Sequence, residues 1–184
     1  MDREVQRQIF HIILGIISIA ILYYLGKGFL IAGVFFTILI GTILINLRIR
    51  DKKIPIVSWF EEKFERKDAH FAGWGSFWYA VGVLIAATYL TETSQIAAVI
   101  YILAFGDAVS TLIGRSGKLK IPFNRNKSLE GSIAFFIASL TSYIFIGPLA
   151  IALSFVCALA ESMPIVDDNI SIPIAAIIFL LVIK

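Results

Sequence analysis

Seven apolar runs, at about 8–25, 28–47, 71–90, 95–113, 129–147, 148–163 and 170–183, fill most of the chain and dictate its solvent. In hydrocarbon every backbone N–H and C=O must be paired within the protein, and runs of this kind achieve that as membrane-crossing helices. The expected fold class is therefore all-α: a polytopic integral membrane protein with about seven transmembrane helices. Composition agrees, with 59% hydrophobic and 16% charged residues in 184 and a mean hydropathy of +0.89, well outside the balance of a soluble domain. Residues 1–184 read as a single transmembrane catalytic domain. The first run reaches Leu25 without a small-x-small cleavage site and carries Arg7 and His11 near its start, so it reads as a mature helix rather than a signal peptide. The last run, 170–183, is the weakest: at about 1.5 Å per residue it covers about 21 Å of a roughly 30 Å core.

Orientation follows from the cations. All of the 16 Lys and Arg residues except Lys27 and Lys184 fall on one side of a seven-span arrangement, which places that side, and the N-terminus, in the cytoplasm. The net charge of +3 is thus accounted for by topology, and no nucleic-acid partner is implied. Trp74 and Trp78, one turn apart at the start of the third run, fit an interfacial aromatic belt. The single cysteine, Cys157, lies in an apolar run and excludes a disulfide framework or a cysteine-based zinc site within one chain. His11 and His70 have no metal-ligand spacing.

One stretch breaks the pattern: GDAVSTLIGRSGKLKIPFNRNKSLEGS, residues 106–132. Asp107 lies about seven residues, roughly 10 Å, before the end of the fourth run, below the membrane interface. An ionisable side chain at that depth is costly and marks a functional candidate, with a structural hydrogen bond to a neighbouring helix as the alternative. Glu161, near the end of the sixth run, raises the same question. Glu130 has two readings: a site residue, or an acid at the positive end of a helix that Ser128 caps. Between Gly114 and Ser128 lie five basic residues and Gly117, with Lys127 directly before a helix start, a combination suited to anionic phosphate. Asp107, Glu130 and Glu161 are then candidate ligands for magnesium, which prefers oxygen and shares its shell with substrate phosphates. Ordinary positive-inside topology accounts for the basic residues alone, and buried acids also suit a proton- or ion-coupled transporter. The segment is no P-loop, because Gly117-Lys118 is followed by leucine.

Asp107-Ala108, the glycines at 114 and 117, and Lys127-Ser128-Leu129-Glu130-Gly131-Ser132 resemble the signature of the CTP-dependent membrane lipid kinases: dolichol kinase, phytol kinase and the CTP-using diacylglycerol kinase, which are related to the phosphatidate cytidylyltransferases. Arg7-Gln8-Ile9-Phe10-His11 resembles the family's R-K-x-x-H, with glutamine in place of lysine. Glu65-Arg66 with Gly73-Trp74-Gly75-Ser76-Phe77, and Glu161 with Pro164 and Asp167-Asp168-Asn169, resemble further family stretches. The resemblance implies a kinase that moves a phosphoryl group from CTP, with Mg2+, to the hydroxyl of a membrane lipid alcohol, with dolichol or polyprenol expected first and diacylglycerol, geranylgeraniol or phytol next. Cytidylyl transfer to a lipid phosphate is the alternative chemistry. It also implies roles: Asp107, Lys127 and Glu130 in catalysis; Gly114, Gly117, Lys127, Ser128, Gly131, Ser132, Asp168 and Asn169 at the nucleotide; Asp107, Glu130 and Glu161 at the metal. The active site would face the cytoplasm of a plasma or endoplasmic-reticulum-type membrane. A homodimer is compatible with such a chain.

Overall fold

The computed structural model describes residues 2–50, 54–64, 73–164 and 167–183. Glu65, Arg66 and His70 lie outside the described residues.

Helix α1 (Arg3–Tyr24) starts where the Asp2 carboxylate accepts from Glu4 N at 3.1 Å. Gly26, at φ 92°, makes the tight reversal into α2 (Lys27–Ile49), a left-handed conformation that a side chain resists. The amphipathic α3 (Pro55–Phe64) lies against α1, with the Phe10 and Phe64 rings 4.8 Å apart. Helix α4 (Trp74–Tyr89) follows and packs on α2. Trp74 and Trp78 meet edge to face at 5.6 Å near its start.

The centre of the bundle is a continuous helical stretch made of α5 (Thr93–Tyr101), a π-helical turn (Ile102–Gly106) and α6 (Asp107–Gly114). Ile96 to Ile100 are fully buried, because a helix apolar all round can satisfy every face only by being surrounded. Here α1, α4, α7 and α10 surround it. The π turn shifts the register immediately before Asp107, and such single-turn bulges concentrate at functional sites.

Past α6 the chain forms an antiparallel hairpin, β1 (Lys120–Ile121) and β2 (Asn124–Ser128), joined by Pro122-Phe123. The chain is otherwise helical, as expected of an all-α membrane protein, and this small hairpin is an addition to that fold: Asn124 to Ser128 is charged and polar without alternation, so no strand was legible. Helix α7 (Leu129–Leu140) then packs on α6. A Cβ at Gly131 would come within 3.0 Å of Gly114 Cα and 3.1 Å of Ser110 O, so these two helices touch backbone to backbone. The short α8 (Tyr143–Ile146), α9 (Leu149–Ser162) and α10 (Asp168–Val182) complete the fold. Pro173 inside α10 cannot donate to the Asn169 carbonyl, and that carbonyl lies against Gly82 of α4, where any Cβ would overlap it.

Helices occupy all seven apolar runs, yet among the described residues only four stretches have the length and hydropathy to cross a membrane: Arg3–Tyr24, Lys27–Arg48, Thr93–Gly114 and Leu129–Ile146. Four spans are thus supported, and the count of seven and the cytoplasmic N-terminus stay expectations. Helices α4, α9 and α10 have 16, 14 and 15 residues, about 21–24 Å. Large apolar side chains such as Phe29, Phe36, Ile144, Phe155 and Ile178 point outward, as a lipid-facing surface requires.

Candidate functional site

Lys127, on β2, is the hub. Its ammonium donates to Glu161 Oε1 at 2.5 Å and to Asp168 Oδ2 at 2.6 Å, joining the hairpin to the end of α9 and the start of α10. Glu161 is fully buried, and a buried carboxylate is tolerable only when hydrogen-bonded and paired. Ser110 Oγ donates to its Oε1 at 2.6 Å and Ser132 Oγ to its Oε2 at 3.1 Å, so α6 and α7 both anchor it. Asp107 lies one helical turn before Ser110, half-buried, and its charge is felt at Lys127. Burial works against the Lys127 ammonium, but the carboxylates of Asp168, Asp107 and Glu161 outweigh it and hold its pKa above the ordinary lysine value.

Three carboxylates around one ammonium leave a local excess of negative charge. Phosphates would be repelled there unless a cation came with them, and a hard divalent ion suits a set of oxygen donors. Among the described residues, however, no three His, Cys, Asp or Glu side chains group as ligands for a metal ion. The donor set therefore fits an ion held largely by phosphate oxygens and water, with one or two protein carboxylates, rather than an all-protein cage.

The cluster borders a polar cleft of about 350 Å³ whose lining includes Arg115, Lys120 and Lys127 as well as Glu4 and Asp168. Gly114, Ser128 and Gly131 form its wall. The Ser128 hydroxyl donates to Gly114 O and accepts from Gly131 N, both at 3.2 Å, so it caps α7 and fastens α6 to it. Leu129 N donates to Leu119 O at 2.8 Å. Two first-turn amides of α7 are thus engaged within the protein, and the cleft's positive potential comes mainly from its Arg and Lys side chains.

The sequence candidates separate into two groups. Asp107, Gly114, Lys127, Ser128, Gly131, Ser132, Glu161 and Asp168 converge on the cluster and its cleft. Glu130, Gly117 and Asn169 serve neighbouring geometry. The Glu130 carboxylate accepts from Lys118 N at 2.8 Å and Leu119 N at 3.1 Å, clamping the loop. Gly117 packs so tightly on Ser128 and Glu130 that a Cβ has no room. Asn169 Nδ2 donates to Asp167 Oδ1 at 2.8 Å beside the cap of α10. Sequence reasoning missed Ser110, Glu4 and Asn126. Ser110 was findable, since it lies three residues after Asp107 and so on the same helix face. Glu4 and Asn126 reach the cleft only through the fold. The N-terminus also closes on the loop: Arg115 Nη1 donates to Asp2 Oδ2 at 2.6 Å, and this hydrogen bond holds the Asp2 carboxyl below its ordinary range.

The chain is 37% identical over 177 residues, 93% of its own length and 89% of the relative's, to an uncharacterized protein of Methanocaldococcus jannaschii. It is 32% identical to phytol kinase 1, chloroplastic, of Arabidopsis thaliana over 126 residues and 32% identical to farnesol kinase, chloroplastic, of the same plant over 123 residues. Those alignments cover 56% and 55% of this chain and 41% and 40% of the two kinases, so the chain spans well under half the length of each. No protein-family model and no solved structure matches it.

Proposed function

Since the chain belongs to the family that unites the Methanocaldococcus jannaschii protein with the phytol and farnesol kinases, we propose that it is a lipid-alcohol kinase, transferring the γ-phosphoryl group of CTP to the hydroxyl of an isoprenoid alcohol. The observation that carries the reading is Lys127, a lysine held charged between Glu161 and Asp168 at the edge of a polar cleft, in a chain otherwise built for lipid. Phosphoryl transfer asks a protein chiefly to position reactants and neutralise charge, and these groups do both.

Arg115, Lys120 and Lys127 would hold the nucleotide phosphates in the cleft. Magnesium arriving with the nucleotide would screen its charge, with Asp107 and Asp168 as the carboxylates placed to complete its shell. The alcohol oxygen attacks the γ-phosphorus, the bond to the diphosphate leaving group breaks, and the hydroxyl proton passes to a carboxylate, for which Asp107 is the candidate. Glu161 positions Lys127 through its own hydrogen bonds. Farnesol- or phytol-like alcohols now stand ahead of dolichol as acceptors, because those are the alcohols in the relatives' names. The cluster would face the cytoplasm, on the side where Arg and Lys concentrate.

The test is product analysis with purified protein, magnesium, and CTP labelled at either the α or the γ position, against farnesol, phytol, geranylgeraniol, dolichol and phosphatidate. Label from γ in a lipid monophosphate supports the kinase. Label from α entering lipid supplied as phosphatidate would assign the chain to cytidylyl transfer instead.

A further inference from the structure

A second cavity, of about 630 Å³ and lined almost wholly by apolar side chains, adjoins the polar cleft; Lys120 lines both. Its walls are two neighbouring helices that repeat one pattern. On α7, Leu129, Ser132, Ile133 and Phe136 stand at i, i+3, i+4 and i+7; on α9, Phe155, Ala158, Leu159 and Ser162 do the same. Ser132 lies in the first turn of α7 and Ser162 ends α9, and the Ser132 bond to Glu161 brings those ends together. Both serines therefore lie at one end of the groove, against the buried Glu161 carboxylate. The opposite end is aromatic, where Phe136 and Phe155 meet edge to face at 6.4 Å. The hairpin turn roofs the groove with Pro122 and Phe123, and Asn124 Nδ2 fastens it there by donating to Ser162 O at 3.1 Å.

From this continuity we infer that the groove between the hairpin, α7 and α9 seats the hydroxyl-proximal end of the acceptor alcohol, an inference that rests on the kinase reading. The head group it accepts is neutral. A hydroxyl at the Ser132 end meets hydrogen-bonding partners, whereas an anionic head would face the fixed charge of Glu161. The stretch from Leu129 to Phe136 rises only about 10 Å, too short for a long polyprenyl chain. The groove thus grips the first branched units and leaves the remaining tail in the bilayer, so that acceptors of different length are bound alike. Ser132 is a positioning residue at the junction of the two cavities.

The rival seat is an apolar hollow of about 270 Å³ between α2, α3 and α4, to which no residue of the Lys127 cluster contributes. Two variants separate them. Ile133→Trp fills the groove and should raise the KM for farnesol about tenfold or more, a change of the size that one or two lost apolar contacts produce, with the KM for CTP unchanged. Thr37→Trp fills the rival hollow and should leave both constants as in wild type. A photoactivatable diazirine analogue of farnesol, mapped by mass spectrometry without need of turnover, should label peptides from 119–136 and 155–162. Labelling confined to α2 or α4, or a raised farnesol KM with Thr37→Trp and not with Ile133→Trp, overturns the inference. Groove labelling by a protein that phosphorylates no alcohol would retain the groove and remove the kinase reading.

Discussion

Replacing Lys127 with methionine should separate two roles that the ammonium performs at once. Glu161 is fully buried and accepts from Ser110, Ser132 and Lys127, of which only Lys127 brings positive charge. Removing one partner of a buried ion pair costs about 3–5 kcal/mol, because the other charge stays behind. The Lys127 and Asp168 side chains are 21% and 25% exposed, so water already screens part of the interaction and the expected loss is nearer 2–3 kcal/mol. At about 2–4 °C per kcal/mol for a chain of this size, the unfolding midpoint should fall by roughly 5–10 °C. Adding Glu161→Gln should restore most of the loss, since a neutral amide no longer needs the ammonium, whereas phosphoryl transfer should be absent from the Lys127→Met protein and the double variant alike. Thermal unfolding in detergent, followed by tryptophan fluorescence, completes a double-mutant cycle. A Lys127→Met protein as stable as wild type, or a double variant whose losses simply add, would refute the pairing described here.

Other substitutions probe the surrounding geometry. Gly131→Ala places a Cβ 3.0 Å from Gly114 Cα, where only backbone can give way; it should destabilise by about 1–3 kcal/mol and reduce transfer by disturbing the α6–α7 contact, both measurable on purified protein. Glu130→Gln weakens the clamp on Lys118 N and Leu119 N, so steady-state kinetics should show a raised KM for CTP with transfer retained; complete loss of transfer would instead give Glu130 the metal role first expected for it. The Lys127 pKa lies above its ordinary 10.5, so the stabilisation from its pairing is fully present below that pH and is lost as pH rises through the folded-state value. The stability gap between wild type and Lys127→Met should accordingly persist at about pH 9 and close only in stronger alkali. Removing divalent cations with a chelator should abolish transfer, and added magnesium should restore it.

Much of this was legible in the sequence because the bilayer imposes so simple a rule. Apolar runs became helices, and Ser128 caps α7 as its place before Leu129-Glu130 suggested. Boundaries were less legible where tertiary contacts set them. The fourth run contains a π turn that no periodicity announced, and the fifth breaks at Thr141-Ser142 within an unbroken hydropathic stretch. Around the site, Lys127 and Glu161 were found because charge in an apolar context is conspicuous. Glu130 stands out at its helix start yet turns to the Lys118 and Leu119 amides of the loop, which lie 12 and 11 residues away in sequence and come within reach only through the fold. Ser110 was overlooked because a serine in a helix carries no such signal until a buried carboxylate is found opposite it.

The most direct measurement is the yield of lipid monophosphate from farnesol or phytol with magnesium and γ-labelled CTP, for wild type and Lys127→Met at equal concentrations of folded protein. The account predicts one labelled lipid monophosphate per CTP consumed by wild type and none above background for the variant. Equal labelling by both, or no labelled lipid from any alcohol with folded wild type, would contradict it.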